Sequence, residues 1–211
     1  MKKYILFDHD GVLVDTEHWY FMSNKQALSE LGIELDKEQY LNNMAKGISS
    51  WELARSMDID ESIIAEQRVR RNLYYQNYLK KEDIEISGVE YLLSELSKDY
   101  KMAIITTSKR NDFELIHRDR NIVQYMDFVL AREDYNNAKP HPEPYLAGLE
   151  KFGGLKKETL IIEDSERGLK SAVAAGIDCA VVYNEFTKTH DFLKATHRIR
   201  SLSELPTLLG A

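Results

Sequence analysis

The stretch "YILFDHDGVLVDTE", Tyr4 to Glu17, decides the fold. Its first four residues are apolar, too short and too continuous for an amphipathic helix, and suit a strand covered on both faces. The run then breaks into Asp8, His9, Asp10 and Gly11, with Asp15 close behind. Folding alone gives no reason to load the exit of a buried strand with negative charge, so these carboxylates read as chemistry.

Working outward, further short apolar runs lie at Met102 to Ile105, Phe128 to Leu130, Leu160 to Ile162 and Cys179 to Tyr183. Helical patterns alternate with them. Val89, Leu92, Leu93 and Leu96 fall at i, i+3, i+4 and i+7, and Tyr145, Leu149 and Phe152 mark one face of a helix stopped by Gly153-Gly154. Ser165 suits the N-cap of a helix carrying Leu169, Ala172 and Val173, which Gly176 closes. Strand and helix in alternation predict an α/β fold, a Rossmann-like, doubly wound parallel sheet.

Between the first and second strands lie about eighty residues without a strand signal. Ser23 to Leu31, stopped by Gly32, Trp51 to Met57, and Ile63 to Leu79 read as helices. The chain therefore divides into a sheet domain, 1–15 with 85–211, and an inserted α-helical domain, 16–84. Within the insert "RVRRNLYYQNYL", Arg68 to Leu79, interleaves basic and aromatic residues as nucleic-acid binders do, but it equally describes an amphipathic helix with a solvated basic face. The acidic chain around it favours the helix.

A net charge of -7 over 211 residues disfavours nucleic acid and anionic membrane as partners. No run approaches the ~18 apolar residues of a membrane span. A single cysteine, Cys179, permits no internal disulfide and places the chain in a reducing compartment, by default the cytoplasm. It sits in an apolar run and reads as buried and inert. The sequence sets no oligomeric state.

In an open parallel sheet, ligands sit outside the carboxyl ends of the strands. Four such ends here carry reactive or anion-binding residues: Asp8-His9-Asp10, Thr106-Thr107-Ser108, Lys139 on the loop after the third strand, and Glu163-Asp164-Ser165. Clustered carboxylates repel one another unless a cation joins them, and hard oxygen ligands favour Mg²⁺. Asp10, two residues beyond Asp8, points back to the same pocket, so one can attack while the other moves a proton. Thr106 with the amides that follow it supplies donors to an oxyanion, and Lys139 a fixed positive charge. Phosphoryl transfer needs this set of parts, because its catalysis is mostly positioning and charge neutralisation.

"DHDGVLVDTE" resembles the first motif of the haloacid dehalogenase superfamily, DxDGxxxDxE. "AIITTS" is similar to its second motif, "AKPHPEPY" to its third, and "LIIEDSERGLKSAVAAG" to its fourth in the form typical of the β-phosphoglucomutase and phosphoglycolate phosphatase branch of subfamily I. The resemblance implies a small helical cap in the insert and roles position by position. Asp8 would be the nucleophile and Asp10 the general acid and base. Thr106, with backbone amides at Thr107 and Ser108, would hold the phosphate. Lys139 would bridge nucleophile and phosphate. Mg²⁺ would be held by Asp8, the Asp10 carbonyl and Asp164, with Glu163 assisting directly or through water. Asp15 and Thr16 would start the cap, Asp15 most simply as a helix N-cap.

The implied activity is hydrolysis of a small phosphorylated metabolite through an aspartyl phosphate. Asp10 argues against halide removal, which needs no acid. A phosphosugar mutase of this branch carries a cap histidine shortly after the Asp-Thr pair and an arginine after a cap glycine. Here Tyr20 stands at the first position, with His18 close by, and Ile48-Ser49-Ser50 follows Gly47. A mutase must grip a second phosphate, for which a bidentate arginine is the natural tool, so the pattern favours a phosphatase unless Lys46, Arg68, Arg70 or Arg71 substitutes. A non-catalytic phosphate-binding protein is the alternative from another class. His18, Trp19, Tyr20, Lys46 and Trp51 are the cap candidates for specificity. His9, on alternate-residue geometry, is expected to face away from the catalytic pair.

Overall fold

A computed structural model describes residues 1–210. The chain divides into two compact units, one of residues 1–15 and 85–211 and one of residues 16–84. The first is built on a six-stranded, all-parallel sheet of β1 (Tyr4–Phe7), β2 (Lys101–Ile105), β3 (Phe128–Leu130), β4 (Thr159–Glu163), β5 (Asp178–Val182) and β6 (His197–Ile199). Their order is β3-β2-β1-β4-β5-β6, so β1 lies at the centre with β2 and β4 on its two sides. The chain reverses direction of winding there, which is the topological switch point where ligands bind in such sheets.

Alternation along the strands explains why both faces are apolar. Leu6, Ala103, Ile105 and Ile161 join Tyr145 and Leu149 of α7 (Glu143–Phe152) and Leu169, Ala172 and Ala175 of α8 (Glu166–Ala175) in one buried cluster. Ile5, Phe7, Met102, Ile104, Leu160 and Ile162 are equally buried at the alternate positions, as a doubly covered sheet requires. The predicted helix ends are found: the Ser165 hydroxyl accepts from the Gly168 amide at 3.1 Å, and Gly153 and Gly176 close α7 and α8 in the left-handed conformation. Val173 departs from the expected buried face of α8, being 41 % exposed.

The second unit contains α1 (Glu17–Ser29), α2 (Lys37–Ala45), α3 (Glu52–Ser56) and α4 (Glu61–Lys81). In α4 the buried residues are Ile64, Gln67, Arg71, Tyr75 and Leu79, a stripe at helical spacing, while Arg68 and Arg70 lie on the solvated side. The basic and aromatic interleaving is thus an amphipathic pattern. The remaining helices, α5 (Val89–Leu96), α6 (Arg110–Ile116) and the short α9 (Leu205–Leu209), belong to the sheet unit. One expectation is corrected. The N-cap position of α1 is Thr16, not Asp15, whose side chain is exposed; the helix starts one residue later than the carboxylate reading required. Among the described residues no helix is long and apolar enough to cross a membrane.

Candidate active site

The site forms where β1, β2 and β4 end. The Asp8 amide donates to the Ile162 carbonyl at 2.8 Å, continuing the β1–β4 ladder one residue beyond the strand and fixing where the carboxylate emerges. On β2 the Thr106 amide does the same with the Leu130 carbonyl at 2.9 Å. Lys139 lies on the loop before α7. That loop is pinned by the Glu143 carboxylate, which accepts from the amides of Asn136 and Asn137 at 2.8 and 2.9 Å.

These constraints deliver the Lys139 ammonium between two acids, 2.7 Å from Asp8 Oδ1 and 2.8 Å from Glu163 Oε1, with a third bond to the Ile105 carbonyl at 3.0 Å. Burial opposes its charge, but Asp8 and Glu163 outweigh burial and hold the ammonium protonated above its ordinary value. Asp8 goes the other way: burial first, then the Glu163 charge, raise its carboxyl from an ordinary 3.8 to about 6 against the opposing pull of Lys139. Burial also pushes Glu163 up, yet Lys139 and the bonds from Lys139 and Tyr145 prevail and hold it below the usual range.

Glu163 is fully enclosed by donors. Oε1 accepts from Lys139 and the Tyr145 hydroxyl, and Oε2 from the Asp164 amide, the Ser165 amide and the Ser165 hydroxyl at 3.2, 3.4 and 3.1 Å. A Cβ at Gly168 would stand 1.7 Å from this carboxylate, so only glycine fits there. Asp164 Oδ2 accepts from Asn184 Nδ2 at 2.9 Å, and the Asp164 carbonyl accepts from the Thr187 hydroxyl at 2.6 Å. Gly11, at φ +80°, passes so close that a Cβ would sit 2.1 Å from Asp164 Oδ2.

Asp8, Glu163 and Asp164 offer oxygens that all lie within 4.8 Å of one another, every one buried. One ammonium faces three buried carboxylates, and the donors are all hard oxygen. That set fits a small divalent cation such as Mg²⁺.

Across the site, Asp10 Oδ2 accepts from the Ser108 hydroxyl at 2.7 Å and the Thr106 hydroxyl at 3.2 Å, and the Ser108 amide donates to Thr106 Oγ1 at 3.0 Å. Thr107 differs from its neighbours, its hydroxyl accepting from Arg167 at 3.3 Å. The structure therefore brings Asp8, Asp10, Thr106, Ser108, Lys139, Glu163 and Asp164 to one sheet edge. His9 is wholly buried, its ring against Phe113 and His117 beside α6, as expected of a residue turned from the pair, but its Nδ1 stands 3.3 Å from Asp10 Oδ2. Cys179 is buried and unpaired.

Sequence reasoning missed four members. Tyr145 counts as core by its spacing, and its hydroxyl reaches Glu163 only once α7 is packed. Asn184 and Thr187 sit on the loop after β5, outside any motif. Tyr135, whose hydroxyl donates to the Thr106 carbonyl at 2.7 Å, is likewise an unmarked loop residue.

Residues 5–182 match the model of the family described as haloacid dehalogenase-like hydrolase. A phosphorylated carbohydrates phosphatase of Thermotoga maritima is 28% identical over 185 residues, 82% of each chain. A variant of CbbY from Rhodobacter sphaeroides, solved with xylulose-1,5-bisphosphate, shares the fold with a TM-score of 0.83 at 23% identity, covering 97% of this chain and 96% of its own. The β-phosphoglucomutase of Clostridium difficile superposes with a TM-score of 0.79 at 25% identity, covering 97% and 93%. The match across both strand-end clusters, from before Asp8 to beyond Asp164, establishes that the chain belongs to the haloacid dehalogenase-like hydrolase family.

Proposed function

We propose that this hydrolase is a Mg²⁺-dependent phosphatase of small phosphate monoesters, working through an aspartyl phosphate on Asp8, with residues 16–84 as its cap. The observation that carries the reading is the buried Lys139 ammonium 2.7 Å from Asp8, beside the oxygens of Asp164 and below the Thr106–Ser108 turn. Asp8 attacks phosphorus in line as the ester oxygen leaves, and Asp10 gives that oxygen its proton. Asp10 then takes a proton from the water that hydrolyses the acyl phosphate. Lys139, the Thr106 hydroxyl and the Thr107 and Ser108 amides hold the phosphoryl oxygens. Asp8, Asp164 and the Asp10 carbonyl would hold Mg²⁺, with Glu163, whose oxygens are taken by protein donors, standing behind them and fixing Lys139. The bound ion would supply charge neutralisation at the transferring phosphoryl group.

Phosphatase is favoured over mutase by the missing histidine and arginine of the mutase pattern, and of the four cations that could substitute Arg70 and Arg71 are engaged within the insert, while Lys46 and Arg68 are exposed. Arg71 is buried, donates to Asn24 at 3.3 Å and lies 4.7 Å over the Tyr20 ring. Arg70 pairs with Glu66 and Glu30, and Arg55 with Glu52 and Glu61. These engagements compete with gripping a second phosphate. The test is phosphate release with and without Mg²⁺ across sugar phosphates, phosphoglycolate and nucleoside monophosphates, with isomerisation of β-glucose 1-phosphate followed in parallel. Mg²⁺-dependent release on some of the panel, abolished by Asp8→Asn, is expected. No release on any substrate would support a binding protein, and isomerisation outrunning release would support a mutase.

A further inference from the structure

We infer that His9, between the two aspartates, is a positioning residue that helps hold Asp10 when substrate phosphate takes the Thr106 hydroxyl from it, and that His117 fixes the His9 tautomer. The inference rests on the reading of Asp10 as acid and base.

The geometry of the pair sets the protons. His9 Nε2 and His117 Nε2 are 2.8 Å apart, so one must donate and the other accept. Were a neutral His9 the donor, its Nδ1 lone pair would stand 3.3 Å from Asp10 Oδ2 and repel it whenever that carboxylate is ionised. With His117 donating, Nδ1 of His9 carries its proton towards the carboxylate. Burial first, then His9 and Arg120, drive the His117 pKa down to about 3, so His117 is a neutral ring able to donate from Nε2 without bringing a second charge into the pocket. Phe113 packs both rings, with centroids 4.9 Å from His9 and 4.4 Å from His117.

In the present arrangement His9 Nδ1 is buried without a hydrogen bond. Asp10 Oδ2 is engaged instead by Ser108 and Thr106. The Thr106 hydroxyl is also a phosphate ligand in the proposed reaction. When phosphate claims it, Asp10 loses a donor, and the His9 Nδ1–H is already in place to replace it after a small turn of the carboxylate.

The experiment combines ¹⁵N NMR of the full wild-type chain with kinetics of His9→Phe and His9→Asn. Phe keeps the ring volume; the Asn amide reproduces a donor near Nδ1. NMR is expected to show the His9 proton on Nδ1. His9→Phe is expected to lower kcat about tenfold, part of the ~10²–10⁴ that acid–base catalysis supplies, with KM nearly unchanged. The loss should be larger on the sugar phosphate turned over fastest in the panel than on p-nitrophenyl phosphate, whose leaving group needs little acid. His9→Asn should recover most of it. An unprotonated Nδ1, a wild-type kcat in His9→Phe, or no recovery in folded His9→Asn would overturn the inference; should neither variant fold, the wild-type tautomer decides. Undiminished turnover in Asp10→Asn would instead defeat the acid–base reading, whereas an inactive Asp10→Asn beside a fully active His9→Phe defeats this inference alone.

Discussion

Replacing Asp8 with Asn is expected to stabilise the metal-free protein while destroying its activity. The carboxyl is raised from an ordinary 3.8 to about 6 by burial and Glu163. At pH 7.5 an ionised Asp8 therefore costs about 3 kcal/mol relative to the unfolded chain. The sign follows from linkage: a raised folded-state pKa means that stability is highest below 3.8 and is lost as pH rises through about 6. Asn has no proton to lose. Lys139 keeps Glu163 at 2.8 Å and the Ile105 carbonyl at 3.0 Å, and meets a neutral amide oxygen as it would a protonated Asp8, its attraction for the carboxylate being already contained in the shift. The net gain is therefore about 3 kcal/mol at pH 7.5. Urea unfolding of both proteins in a chelator, at pH steps from 4 to 8, measures it. The two should converge near pH 4, with Asn more stable above pH 6, and added Mg²⁺ should stabilise the wild type more than the variant. An Asn variant less stable at pH 7.5, or a gap that does not shrink on acidification, would refute the charge accounting.

Two further outcomes follow from the same contacts. Lys139→Met leaves Asp8 and Glu163 as buried acids without their shared cation, so phosphatase turnover should fall by ~10²–10³, and unfolding curves should show a stability loss that shrinks as pH is lowered and Asp8 protonates. Asn184→Ala removes the 2.9 Å donor to Asp164 Oδ2, so half-saturation for Mg²⁺ in the phosphate-release assay should rise about tenfold while turnover at saturating Mg²⁺ changes little.

The sheet was legible because each central strand is a short continuous apolar run, as double coverage by helices demands, and because helical patterns alternate with these runs. The edge strand His197–Ile199 was not, since two of its three residues are polar and its pairing with β5 is set by the chain's return rather than by burial. Helix α2 escaped for a related reason. Its residues, Lys-Glu-Gln-Tyr-Leu-Asn-Asn-Met-Ala, bury only Tyr40, Leu41, Met44 and Ala45, and its clearest signal is a local one, the Asp36 carboxylate accepting from the Gln39 amide at 2.9 Å. In the site, residues at strand ends could be read because topology alone brings strand ends together. Tyr145, Asn184 and Thr187 act through a hydroxyl or amide whose target depends on how α7 and the loop after β5 are packed, and no spacing along the chain encodes that.

The same packing changes how the acids divide their work. By sequence Glu163 and Asp164 are neighbouring carboxylates on one strand end, Asp164 read as a metal ligand and Glu163 as its helper. In space Glu163 takes five hydrogen bonds, two of them from Lys139 and Tyr145 on one oxygen, so its charge is spent on holding the ammonium where it also meets Asp8. Tyr145 keeps its proton to make this bond, burial and Glu163 raising the phenol well above its ordinary value. Lys139 thus neutralises Glu163 and part of Asp8, and the remaining deficit of positive charge falls on Asp8 and Asp164. A cation beside Asp8 and Asp164 would ease the approach of an anion, which adds a charge argument to the donor chemistry behind the proposed Mg²⁺.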